Sequence, residues 1–312
     1  MDARPTETVT QAGAPPGEAE RMMRLATYAA VGVALSLIAI KFVAYLLTGS
    51  VSMLSTLIDS MLDAAASLIN LVAVRHALTP ADREHRFGHG KAEALAGLGQ
   101  AAFVAGSAVF LVLQAGGRLY RPTPIENEAV GIGVMIASMA LTGLLVLFQR
   151  QVIKKTRSIA ISADSLHYAG DLAVNIAVVA ALVLSTQLGW YLADPLFALA
   201  IGAFILFTAW QIARSAFDML MDREMPDEAR ERIKQIVRAH PQIRGLHDLR
   251  TRTAGRDSFI QFHLEMDGGM SLTEAHRVAE QVEMAIMAEF PAAEVIIHED
   301  PEGVAEVRTK FA

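Results

Sequence analysis

Between residues 25 and 216 the chain returns six times to an apolar run of about the 20 residues that a helix needs to cross a bilayer. The runs lie at about 25–47, 52–76, 92–117, 127–149, 163–187 and 192–216. Inside lipid, backbone polar groups must be satisfied internally, so continuous runs of this length fold as helices packed in a bundle. The chain as a whole is not uniformly apolar. Its residues are 53% hydrophobic and its mean hydropathy is +0.36, yet 19% are charged. A soluble domain is rarely so apolar and a bare bundle carries fewer charges, so we expect a membrane half joined to a water-soluble half.

The six runs differ in what they carry. The second holds Asp59, Asp63 and Asn70, and the fifth holds Asp164, His167, Asp171 and Asn175. The first holds Lys41, whereas the third and fourth are nearly free of charge in their middles. Asp59 and Asp63 are four apart, as are His167 and Asp171, so each pair shares one helix face about one turn apart. Ionisable groups at membrane depth are costly; they normally face the bundle interior and serve an ion or proton pathway. Three carboxylates and an imidazole suit a four-coordinate divalent metal such as zinc, whereas magnesium and calcium prefer larger oxygen shells. A blander role, polar groups that only tie helices together, is outweighed by four ionisable groups at matched spacing on two runs. The same ligands bind metal only when deprotonated, so metal and protons compete, and an imidazole exchanges protons near neutral pH. There are no cysteines, so any metal is held by His, Asp and Glu. The net charge of -6, with no basic cluster interleaved with aromatics, argues against a nucleic-acid partner.

The connections give an orientation. Arg75, Arg83, Arg86 and Lys91 lie between runs two and three, and Arg150, Lys154, Lys155 and Arg157 between runs four and five. The opposite loops carry only Arg118 and Arg121, offset by Glu126 and Glu128. Positive residues mark the cytoplasmic side, so both termini are expected inside. Residues 1–20 read as a disordered tail without a signal-peptide pattern, followed by a six-helix membrane domain over 21–222. Residues 223–303 read as a cytoplasmic αββαβ domain, an α+β fold, with 304–312 as a tail. In that domain Pro226 opens a helix, and strands over 246–253 and 257–266 flank a turn at Gly255. Ile260, Phe262, Leu264 and Met266 share one strand face; Gln261, His263 and Glu265 share the other. Ser271 and Glu274 form a capping box for a helix to about Phe290, and a last strand runs over 294–299.

These motifs resemble the cation diffusion facilitator family. Asp59-x-x-x-Asp63 and His167-x-x-x-Asp171 are similar to its membrane site, and residues 80–91 to its short cytoplasmic loop. Residues 246–252 and 296–301 are similar to parts of its C-terminal domain, so the resemblance covers about residues 20–303. It is nearest to bacterial zinc and ferrous-iron efflux proteins that act as homodimeric proton antiporters. The resemblance implies a six-helix membrane domain and a metallochaperone-like cytoplasmic domain, paired as a homodimer in the bacterial inner membrane. It implies alternating-access efflux of Zn2+, with Fe2+ or Cd2+ as other cargoes, driven by protons, in a secondary transporter that is not an enzyme and has no organic cofactor. It also implies three metal sites. The transport site is Asp59, Asp63, His167 and Asp171; the loop site is Asp82, His85 and His89. The cytoplasmic site is His247, His263, His298 and Asp300, with His276 nearby. Lys91 and Asp222 would form an interlock, and Leu166, beside His167, is expected to contribute to a hydrophobic gate. Arg83 in the loop and Glu299 beside His298 depart from the family pattern. Lys41 is expected to snorkel or to pair with a carboxylate. Two other classes compete: a membrane metal sensor that binds without transporting, and an exporter of organic cations. The first needs no ligands at membrane depth; the second calls for an aromatic-lined cavity in a chain with 6% aromatics.

Overall fold

Each of the six apolar runs forms a long helix in the computed structural model, which describes residues 16–49, 51–120, 129–188 and 193–304. The helices are α1 (Pro16–Thr48), α2 (Val51–Ala77), α3 (Lys91–Tyr120), α4 (Ala129–Thr156), α5 (Ile159–Leu188) and α6 (Ala193–Leu220). The shortest has 27 residues, about 40 Å at 1.5 Å per residue, which exceeds the ~30 Å hydrocarbon core. Five of the six contain a stretch apolar enough to cross a membrane; α5 is the helix that carries Asp164, His167 and Asp171. Large side chains point outward, among them Leu47, Ile69, Phe110, Leu113, Leu144 and Trp210. Small ones point inward: α1 buries Ala26, Ala30, Ala34 and Ala44 along one stripe. That inversion suits a bundle whose outer solvent is lipid and whose helices meet through small residues.

Two helix bounds differ from the expectation. The first helix starts at Pro16, inside the stretch read as tail, because Ala19 and Met23 are buried and Glu18 pairs with Lys155 of α4 at 3.3 Å. Arg150, Lys154 and Lys155 lie on α4 rather than in a loop, and the last two sit in its final turn, where cations complement the helix dipole. The connection to α5 is therefore only two residues long. Arg157 takes the left-handed conformation (φ 53), and the Ser158 hydroxyl accepts a hydrogen bond from Ile161 N at 3.2 Å. The buried carboxylate of Glu93 on α3 accepts from Ile159 N at 2.7 Å. Gly97 makes room for this approach, since a Cβ there would lie 2.6 Å from Ile159 Cγ2. The first 15 residues, the loop carrying Arg121, Glu126 and Glu128, and residues 305–312 lie outside the described residues.

The chain divides into two compact units between Ala216 and Phe217. The second is built from α7 (Asp227–Arg238), β1 (Ile243–Ala254), β2 (Asp257–Met266), α8 (Leu272–Glu289) and β3 (Ala293–Pro301), an αββαβ order. The sheet order is β1-β2-β3, with β2 antiparallel to β1 and parallel to β3. Ile260, Phe262, Leu264 and Met266 of the central strand bury against Ile233 and Val237 of α7 and Val278, Val282 and Ile286 of α8. The other face of β2 is left for polar groups, as its period of two requires. Ser271 caps α8: its hydroxyl accepts from Glu274 N, and the Glu274 carboxylate accepts from Ser271 N.

Candidate metal centres

In the membrane unit the i, i+4 spacing on α5 and one turn of α2 converge. His167 Nε2 lies 3.0 Å from Asp63 Oδ1 and 3.7 Å from Asp171 Oδ2, while its side chain is only 6% exposed. One ligand atom from each of these three residues falls within 4.8 Å of the others, close enough to close on one ion. Asp59 is not in that cluster; it lines the same cavity of about 740 Å3, together with Lys41, Phe103 and Asn175. Among the described residues Lys41 makes no direct carboxylate pair. Its Nζ donates to Ser60 Oγ at 2.7 Å and to the Thr56 carbonyl at 3.2 Å, so its charge is held on α2 at the cavity wall. Leu166 packs with Val104 and Ala108 of α3 and Ile205 and Ala209 of α6, next to His167 in the chain.

A second polar centre lies one turn toward the start of α5, and sequence reading did not single it out. Asp164 is 1% exposed. Its Oδ1 accepts from Gln100 Nε2 of α3 at 3.0 Å, and its Oδ2 from Gln149 Nε2 of α4 at 2.6 Å. The Ser67 hydroxyl of α2 lies 3.5 Å from Oδ1 and 2.7 Å from Tyr168 OH. One carboxylate thus ties four helices beside His167. A faint signal existed: Gln100 is an amide inside an apolar run and Gln149 ends another, and Asp164 lies seven residues, two turns, before Asp171.

The loop between α2 and α3 gathers Asp82, His85 and His89. Asp82 Oδ1 accepts from the backbone N–H of His85 at 2.6 Å and of Glu84 at 2.8 Å. Those bonds, that from His85 foremost, hold its carboxyl below the usual carboxylate range. Its Oδ2 faces His89 Nε2 at 3.4 Å, and the buried His89 ring is anchored through Nδ1 to the Thr79 carbonyl at 3.3 Å. Gly88, with φ 75, supplies the turn that folds His89 back.

In the soluble unit, cross-strand register builds the site. His247, His263 and His298 lie opposite one another on β1, β2 and β3. Their rings follow at 4.8 and 4.6 Å. Asp300, 6% exposed, lies beneath them: its Oδ2 is 2.8 Å from His263 Nδ1 and 3.4 Å from His247 Nε2, and its Oδ1 is 3.1 Å from His298 Nε2. The β1–β2 register shifts between His247 and Arg250, where Asp248 has φ 51, a bulge of the kind that re-aims a side chain. Both His247 ring nitrogens are buried without a hydrogen-bond partner among the described residues. An imidazole nitrogen left without a hydrogen bond beside the buried Asp300 carboxylate fits a bound divalent metal, which would satisfy that nitrogen. His276 stands apart on α8, 74% exposed and 3.9 Å from Glu299. Asp222, also with positive φ, accepts from Arg252 Nη1 at 3.4 Å.

An apolar helix bundle with an acidic, imidazole-containing cavity, continued by a soluble α+β unit, defines a multi-pass membrane protein that handles cations. The family model of the cation efflux transmembrane domain matches residues 27–221, and that of the cation efflux protein cytoplasmic domain matches 225–302. The cation-efflux pump FieF of Salmonella arizonae is 50% identical over 281 residues, 90% of this chain and 93% of that one. The FieF of Shewanella oneidensis is 49% identical over 279 residues, 89% of this chain and 94% of that one. Among solved structures, the metal-bound C-terminal domain of the CzcD transporter from Thermotoga maritima is 27% identical, covering 26% of this chain and 100% of its own, with a TM-score of 0.25. The chain belongs to the cation efflux, or cation diffusion facilitator, family: it is a transporter, not an enzyme.

Proposed function

We propose that this protein exports divalent transition-metal ions from the cytoplasm in exchange for protons, with zinc as the favoured cargo and Fe2+ or Cd2+ as others. It works as a homodimer in the bacterial inner membrane, with both termini cytoplasmic. The observation that carries this reading is the convergence of Asp63, His167 and Asp171 within one cavity of the helix bundle. With Asp59 on the same wall, the cavity holds three carboxylates against the one ammonium of Lys41. When all four are ionised and His167 is neutral, two negative charges are in excess, the complement of one divalent ion. An entering ion exchanges its water for the three carboxylates and the His167 imidazole, and a borderline metal that accepts tetrahedral N and O ligands is favoured.

Release follows from the same ligands. An imidazole and carboxylates that take protons lose their hold on the metal, so protons arriving from outside expel the ion and the protonated site returns inward. Access alternates because the ligands sit on α2 and α5, two separate helices whose tilt sets the ligand spacing. Leu166 serves as an apolar gate beside His167. The metals at the loop site and the cytoplasmic histidine row are resident and regulatory, not on the path. In proteoliposomes, zinc flux by the native protein should rise with an opposed pH gradient, while His167→Ala should keep at most a small flux that ignores the gradient. Full gradient dependence in His167→Ala would remove the proposed proton role of that residue.

A further inference from the structure

The loop site has a fourth imidazole beside it that neither the sequence motif nor the three-residue cluster includes. His76 lies in the last turn of α2, exposed, and among the described residues its ring makes no hydrogen bond. Its ring centroid is 4.6 Å from that of His89, the same separation as between His85 and His89. Two imidazoles on one tetrahedral zinc, with Zn–N near 2 Å, hold their rings about 5 Å apart. The buried His89 thus has two neighbouring imidazoles at ligand spacing, and the Asp82 carboxylate faces it 3.4 Å away.

From this geometry we infer that His76 is the fourth protein ligand of the loop site, which takes a zinc-class divalent ion as a closed His3Asp centre. This rests on the loop-site reading given above. The consequence is mechanical. Four protein ligands held in one fixed frame leave no open position for exchange, the arrangement of structural zinc sites. Here three ligands come from the loop and one from α2, so a bound ion staples the end of α2 to the chain entering α3. Asp59 and Asp63 lie on that same helix. Resident metal thus steadies the helix that carries half of the transport ligands.

The test uses the full chain in detergent with Co2+ as probe, because tetrahedral cobalt absorbs strongly in the visible and a cobalt thiolate adds a near-ultraviolet charge-transfer band. The protein has no cysteine, so in His76→Cys that band can arise only from residue 76. We expect His76→Cys to show it at one cobalt per chain, and His85→Ala with His89→Ala to abolish it. We expect His76→Ala to lose the loop-site tetrahedral band and to weaken zinc there at least tenfold, the low end even for an outer-shell partner. A His85- and His89-dependent cobalt band that persists in His76→Ala, with no charge-transfer band in His76→Cys, leaves the loop site standing and overturns the fourth ligand. Unchanged cobalt stoichiometry in His85→Ala with His89→Ala overturns the loop site itself, and the staple with it.

Discussion

The transport cluster and the cytoplasmic histidine row use the same donors in different frames. In the membrane unit, His167 and Asp171 come from one helix and Asp63 from another, and Asp59 stands off on the cavity wall. In the soluble unit, three histidines are fixed by ladder register across one sheet, over a buried carboxylate that touches them all. Helices slide and tilt as bodies, so a site shared between two of them can open and close. Strands in register cannot shift without flipping every side chain to the other face. Identical chemistry therefore suits passage in one place and retention in the other.

That contrast can be broken most forcefully in the membrane unit. Asp63→Ala removes a ligand from the shared site, and we expect zinc flux to fall at least about 100-fold, beyond the range of an outer-shell loss. Asp164→Leu should act on the frame instead. It strands Gln100 and Gln149 amides in a dry interior, and we expect it to lower stability in detergent by about 3 kcal/mol, read by thermal unfolding, with Asp164→Asn costing less. In the soluble unit, His247→Ala should weaken the resident metal at least tenfold in equilibrium dialysis while flux stays within a few-fold of native. A loss of flux as deep as that of Asp63→Ala would put the histidine row on the path.

Smaller effects sharpen the picture. Ser271→Ala removes the α8 cap and should cost about 1 kcal/mol in the unfolding of the soluble unit. In the loop, backbone N–H groups hold Asp82 below the usual carboxylate range, so its stabilising bonds are present at neutral pH and vanish only as pH falls through that lowered value. Asp82→Asn should therefore weaken loop-site zinc by the same factor at pH 7.5 and pH 5.5. A factor that shrinks on acidification would mean that Asp82 is already protonated there.

Much of this was legible in the chain. Run length announces six helices because lipid permits little else, and the period of two in β2 announces which face is core. The i, i+4 pairs join Asp59 with Asp63 and His167 with Asp171; of these four, Asp63, His167 and Asp171 meet while Asp59 stays on the cavity wall. What periodicity does not carry is partnership between elements. Gln100 and Gln149 are two polar residues among several on α3 and α4, and only the packing of those helices on α5 shows that both address Asp164. The alignment of His247 with His263 depends on a bulge at Asp248, and no local pattern specifies one there. His276, on α8, is exposed and lies 3.9 Å from Glu299, outside the cluster of His247, His263 and Asp300. Nor does periodicity show that the Lys41 ammonium draws on α2 through Ser60 and the Thr56 carbonyl.

The central claim is that the helix-borne cluster moves metal. Zinc entry into sealed vesicles containing the purified full chain, with and without an opposed pH gradient and beside an Asp63→Ala control, tests it most directly. Gradient-dependent entry that disappears in Asp63→Ala is the predicted result. Tight zinc binding with no entry in either protein would contradict it, and would make this a membrane receptor that senses metal without carrying it.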